Sequence, residues 1–167
     1  MSLTDQRTSA RAARTNTWSS LPQSLPARLA GAGLAVAVGW VHVVDQGGLP
    51  GNKEPRYVGV GYWLIELAAI AVAVLLLAPG TGRARGLLAD RLRAGWVLAV
   101  GVALGPLVGY VLSRGPGLPS YTDDKGAWLE PIGILSLVLE ALLAGLALFV
   151  LTRPALRPEA AQSRRTS

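Results

Sequence analysis

The stretch Trp128–Leu151 reads WLEPIGILSLVLEALLAGLALFVL, and its only charged residues are Glu130 and Glu140. A helix rises ~1.5 Å per residue, so about 20 apolar residues cross the ~30 Å hydrocarbon layer of a bilayer. This run is long enough to do so. Three others, Leu29–Val44, Val58–Ala78 and Ala94–Leu112, meet or approach the same length. The pattern predicts an all-α protein, a four-helix transmembrane bundle with spans about 29–44, 58–78, 94–112 and 128–151 in a membrane domain covering 27–152. The first span is short and gains length from Ala27 if Arg28 snorkels its guanidinium to the headgroups. A soluble fold would instead have to bury four nearly uncharged helices in a chain of 167 residues.

A secretory signal peptide is the alternative for the first span, since a basic leader precedes it. That leader is long and no clear small-x-small cleavage site follows, so a retained helix is expected. Residues 1–26 are rich in Ser, Thr, Arg and Gln, and 153–167 are similar; both are expected to be disordered tails with a basic balance.

Lys and Arg are distributed unevenly. Arg7, Arg11, Arg14 and Arg28 precede the first span; Arg83, Arg85, Arg91 and Arg93 lie between the second and third; Arg153, Arg157, Arg164 and Arg165 follow the fourth. Only Lys53, Arg56, Arg114 and Lys125 lie on the other side. Twelve against four predicts, by the positive-inside rule, that both termini are cytoplasmic. The net charge of +6 is thus a topology signal, with anionic lipid headgroups as its partner. It does not indicate nucleic acid, because the basic groups are split among short segments without interleaved aromatics. Arg outnumbers Lys fourteen to two, a bias typical of high-GC bacterial genomes, so the expected location is a bacterial plasma membrane.

Composition also limits the chemistry. The absence of Cys excludes disulfides and thiolate ligands or nucleophiles. One His and one Met cannot supply the paired axial ligands of a haem, and no compact metal motif accompanies His42, so no metal or cofactor is expected. Ser113, Ser120 and Ser136 lack a nucleophile motif, and no catalytic residue is assigned.

Between the spans, Pro79–Arg93 reads either as a solvated basic turn or, through Leu87, Leu88 and Leu92, as a stripe lying on the membrane surface. The outer loops Gly47-Gly48-Leu49-Pro50-Gly51 and Gly115-Pro116-Gly117-Leu118-Pro119 resemble each other, and each precedes a span with an internal Glu. A duplicated hairpin would produce this, as would the general preference of turns for Gly and Pro. Gly101, Gly105, Gly109 and Ser113 recur every four residues, as do Gly31, Ala35 and Gly39; both ridges are expected to be contact surfaces of the bundle or of a homo-oligomer. Pro106 beside the first ridge reads as a kink. Most Trp and Tyr residues map to the outer side and Trp96 to the inner one, as an interfacial belt would have it.

Ionisable groups inside such spans are costly, roughly 2.5–3.5 kcal/mol on insertion scales, and ask for a partner or a task. Glu66 and Glu140 are the intramembrane cases. At ~1.5 Å per residue Glu66 lies about 12 Å below the outer edge and Glu140 about 14–18 Å below it. His42, Asp45, Arg114 and Glu130 sit near the same edge, with Asp45 placed to accept the His42 ring N–H and Ser136 one turn from Glu140. These six residues form the candidate polar cluster, either a proton or ligand site or a set of structural hydrogen bonds. The leading function is a small binding, sensory or accessory membrane subunit. The alternatives are a proton- or cation-linked transporter or channel, and a membrane-embedded lipid enzyme.

The run Tyr110-Val-Leu-Ser-Arg114, then Gly117-Leu118-Pro119, then Glu130-Pro131-Ile132-Gly133 leading to the helix of Glu140, resembles a pattern in uncharacterised four-span membrane proteins of actinobacteria. The resemblance covers the last third of the chain well. It implies the architecture and the source, and it brings no activity with it.

The charge bias is checked by single cysteines in this Cys-free chain. Ser120→Cys is expected to react with an impermeant thiol reagent in intact cells and Thr81→Cys is not; labelling at Thr81 alone would reverse the topology.

Overall fold

In the computed structural model, residues 24–51, 53–78 and 85–153 are described, with side chains from Asp90 onward in the last stretch. Their regular structure is four helices and no strand: α1 (Leu25–Asp45), α2 (Arg56–Leu77), α3 (Arg85–Arg114) and α4 (Pro131–Thr152). All four are long and apolar enough to cross a membrane, α3 from Asp90 onward. The tails expected to be disordered lie outside the described residues except 24–26 and 153, and Leu25 and Pro26 already belong to α1. Pro26 is tolerated there because a first-turn N–H has no intrahelical acceptor. α3 begins nine residues before the expected span, and Leu92, expected in a surface stripe or turn, is buried in the core. Leu87 and Leu88 are helical, with side chains outside the described set.

The surface is the reverse of a soluble protein's. Val36, Leu64, Leu67, Ile70, Val74, Val97 and Leu142 are exposed along the helix flanks, whereas His42, Gln46, Glu66, Ser113, Arg114, Ser136 and Glu140 are buried. An apolar belt of this extent would drive association in water; in lipid it is simply solvated.

The helices form a ring in which α1 meets α2 and α4, and α3 meets α2 and α4. Across one diagonal α1 also touches α3, while the backbones of α2 and α4 do not come together. The half of the bundle near the chain termini is solid. Trp96, only 1% exposed, fills its centre among Ala32, Ala35, Val72, Leu76, Ala99, Leu143 and Ala147. Trp96 is therefore a core residue and not part of an interfacial belt. Gly31 makes room for it: a Cβ there would stand 2.6 Å from Trp96 Cη2. Gly39 likewise brings α1 against Ala69 of α2, at 3.0 Å from a Cβ. The ridge Gly31, Ala35 and Gly39 is thus a helix contact.

Within the bundle the second ridge is not. A Cβ at Gly101, Gly105 or Gly109 would meet no atom within 4 Å, so these glycines pack against no neighbouring helix, and only Ser113 of that series is buried. Helical periodicity puts the four on one face, but it does not say which way the face turns.

Two arginines close the same solid end. Arg28 Nε donates to Leu76 O at 2.5 Å and Arg91 Nη2 to Ala78 O at 2.5 Å, capping the carbonyl-rich end of α2 with positive charge. Arg28 therefore binds a neighbouring helix instead of only snorkelling to the headgroups. At the opposite end of α1, Gly48 N–H bonds Val43 O (2.8 Å) and Gly47 N–H bonds Val44 O (3.1 Å), with positive φ at both glycines. This is a glycine-dependent helix stop.

Overpacking a core typically costs about 1–3 kcal/mol, so Gly31→Leu is expected to lower the melting temperature in detergent by several degrees and Gly101→Leu by about one degree or less. Equal losses in a scanning fluorimetry series would mean that Trp96 does not sit against α1.

Candidate functional site

At the end carrying the 46–55 and 115–130 loops the bundle is hollow. The last turns of α1 and α3 and the first turns of α2 and α4 surround a cavity of about 270 Å³. Its polar lining comes from His42 and Asp45 of α1, Tyr57 and Tyr62 of α2, Tyr110, Ser113 and Arg114 of α3, and Ser136 and Glu140 of α4. The pairs His42/Asp45 and Ser136/Glu140 stand at i,i+3 and i,i+4, which sets each on one side of its helix.

Arg114 organises the mouth. It is 7% exposed, and its guanidinium donates to Ala127 O (3.1 Å), Ser113 Oγ (3.1 Å), Asp124 Oδ2 (3.4 Å) and Glu130 Oε2 (2.7 Å). Its underside lies on the Tyr110 ring at 4.0 Å. Gly133 permits this stacking, since a Cβ there would stand 2.7 Å from Tyr110 Cε2. Tyr110 in turn donates to Trp128 O (2.5 Å), which holds Trp128 and Glu130 in the loop and delays the start of α4 to Pro131. A short turn, Leu118 bonded both ways to Tyr121, completes the cover. Burial and the Asp124 carboxylate, which accepts the Tyr121 O–H at 2.8 Å, hold that phenol above its ordinary pKa.

Asp45 does not take the His42 proton. It accepts from Tyr62 and pairs with Lys53 at 3.6 Å. His42 Nδ1 lies 2.9 Å from Val38 O. Because a carbonyl only accepts, Nδ1 carries a proton and donates it to Val38 O. The ring leans on Tyr62 at 5.3 Å between centroids.

Glu140 forms the floor. It is 2% exposed, Ser136 Oγ is 2.6 Å from Oε1, and Oε2 has no partner among the described residues. Below it Leu143, Ala147 and Val150 continue into the solid half.

Glu66 is elsewhere. It does not line the cavity; Gln46 Nε2 donates to its Oε1 at 2.5 Å, on the α1 side of α2 beside Gly39 and Ala69. Of the six expected residues, the structure brings His42, Asp45, Arg114 and Glu140 together on one cavity, attaches Glu130 through Arg114, and separates Glu66. The two intramembrane Glu residues thus occupy different environments, which a duplicated hairpin would not favour. Gln46 and Tyr62 were absent from the expected cluster; a polar residue directly after Asp45 and a tyrosine one turn before Glu66 are the signals that mark them.

No group of three or more His, Asp or Glu among the described residues is arranged to hold a metal ion. No protein-family model matches the chain, and no curated protein or solved structure gives a significant match. What stands is the class: a protein with four apolar helices compatible with multiple membrane spans, and a polar cavity at one end.

Proposed function

We propose that the protein is a non-enzymatic binding, sensory or accessory subunit of a bacterial plasma membrane, whose loop-end cavity holds a small ligand carrying N–H donors and positive charge. The observation that carries this reading is the Glu140 carboxyl, buried at the cavity floor with one oxygen unpartnered. A buried polar atom without a partner typically costs about 1–3 kcal/mol, and a donor delivered by a ligand would recover it. Arg114 does not compete for the role, since Glu130, Asp124 and three neutral acceptors or π faces already surround it. The charge bias of the sequence supports placing the loops and the cavity mouth outside and both termini in the cytoplasm. An actinobacterial source fits the sequence pattern around Arg114 and Glu130, and assembly with a second copy or a larger membrane complex suits a subunit of this size.

The second reading is a proton- or cation-linked transporter, favoured by the depth of Glu140 within its span. Against it, the floor rests on the packed Trp96, Leu143 and Ala147, so the hollow ends within the bundle.

The test uses the full chain in phosphatidylcholine nanodiscs with ethylammonium as probe. A ligand at 100 times its Kd stabilises by about 2.7 kcal/mol, so a saturable rise in melting temperature is expected, and Glu140→Gln, which keeps shape and neutral hydrogen bonding, is expected to abolish it. Absence of any shift would contradict binding. A gradient-driven proton or cation flux lost in stably folded Glu140→Gln would put the transporter in its place.

A further inference from the structure

Near the chain termini α2 and α3 are pressed together, with a Cβ at Gly95 falling 3.1 Å from Leu75 Cβ and 3.0 Å from Leu76 Cδ2. Fourteen residues toward the loop end along each helix stand Gly61 and Gly109. Fourteen steps of about 100° return to within roughly 40° of the same face, so a continued contact would set these two glycines against each other. They do not meet. No atom lies within 4 Å of a Cβ at Gly61, at Gly109 or at Gly105 one turn deeper, and all three line the cavity. The helices have parted, leaving a slot walled by glycine.

The slot lies at hydrocarbon depth. Gly61 is five residues in from Arg56 and Gly105 nine from Arg114, which at ~1.5 Å per residue is about 8 and 13 Å below the loop end. Gly105 is itself exposed, so what faces the slot from outside is lipid. The cavity behind it, about 270 Å³, has room for several waters or a polar head. A ligand reaching it from the bilayer would place its head inside and leave its tail in the slot.

Charge selects the head. The loop end carries five carboxylates, Asp45, Glu54, Asp123, Asp124 and Glu130, against four cations, Lys53, Arg56, Arg114 and Lys125, a surplus of one carboxylate before Glu140 is counted. At the floor Glu140 lines the cavity, and its Oε2 is buried without a partner among the described residues. We infer that the ligand is a membrane-dissolved amphiphile with a primary ammonium head, admitted sideways between α2 and α3, with its head on Glu140 and its apolar chain in the glycine slot. This deepens the binding reading above and rests on it. The shared chemistry, an ammonium on an apolar chain, belongs both to aminophospholipids and to free long-chain amines.

The experiment compares dodecylammonium with ethylammonium on the parent and on Gly61→Leu/Gly105→Leu, again in phosphatidylcholine nanodiscs and read by saturable thermal shift. A Cβ at these positions meets no side chain or neighbouring helix within 4 Å, and Leu replaces a poor helix former, so the double variant is expected to fold. Gly109→Leu repeats the comparison if the double variant melts early. The variant is expected to weaken dodecylammonium about tenfold or more relative to ethylammonium, whose binding through the head alone is the reference, and equal weakening of the two amines would overturn the slot. Unchanged dodecylammonium binding, with ethylammonium still bound and still lost in Glu140→Gln, would overturn the slot and leave the binding reading standing. Failure of both amines on the parent would overturn both. Nanodiscs containing phosphatidylethanolamine then identify the source: displacement of dodecylammonium supports the aminophospholipid, and lack of displacement supports the free amine.

Discussion

A guanidinium taken out of water at the end of a membrane helix is the constraint on which the cavity depends. Arg114 is always charged, and the desolvation of such a group is repaid only by well-placed partners. Two carboxylates, a carbonyl, a hydroxyl and a tyrosine face supply them, all drawn from the end of α3, the 115–130 loop and the residue before α4. The loop is therefore folded around the cation. Because the same loop roofs the cavity and sets where α4 starts, the position of Ser136 and Glu140 follows from how Arg114 is satisfied.

The two halves of the bundle obey different rules. Toward the termini, Gly31 and the alanines of α1 let Trp96 fill the interior, where its indole N–H is buried without a partner among the described residues. Toward the loops, tyrosines and glycines replace the bulky aliphatics, and α2 and α4 stay apart across the diagonal. Water cannot drive helices together inside lipid, so packing and hydrogen bonds alone decide where they close. They close around Trp96 and open above Glu140.

Much of this was legible in the sequence because it depends on distance along the chain. Span number follows from apolar length, the Ser136–Glu140 hydrogen bond from i,i+4 spacing, and the meeting of Arg114 with Glu130 from their places at the ends of neighbouring helices. What was not legible depends on rotation about a helix axis. Glu66 and Glu140 look alike as lone acids in apolar runs, yet one turns toward α1 and the other toward the centre. The glycine series from Gly101 repeats as regularly as the one from Gly31, but within the bundle only the latter faces another helix. Asp45 illustrates a third case, where a through-space donor, Tyr62, takes the acceptor that local spacing assigns to His42.

The central claim is that the membrane bundle is hollow down to Glu140 and solid below it. In a chain without native Cys, Ser136→Cys and Ala147→Cys sample the two halves of the same helix. With the protein in lipid bilayers, a small positively charged thiosulfonate is predicted to modify Ser136→Cys rapidly and to leave Ala147→Cys unmodified. Equal protection of both, or faster reaction at Ala147→Cys, would contradict the account.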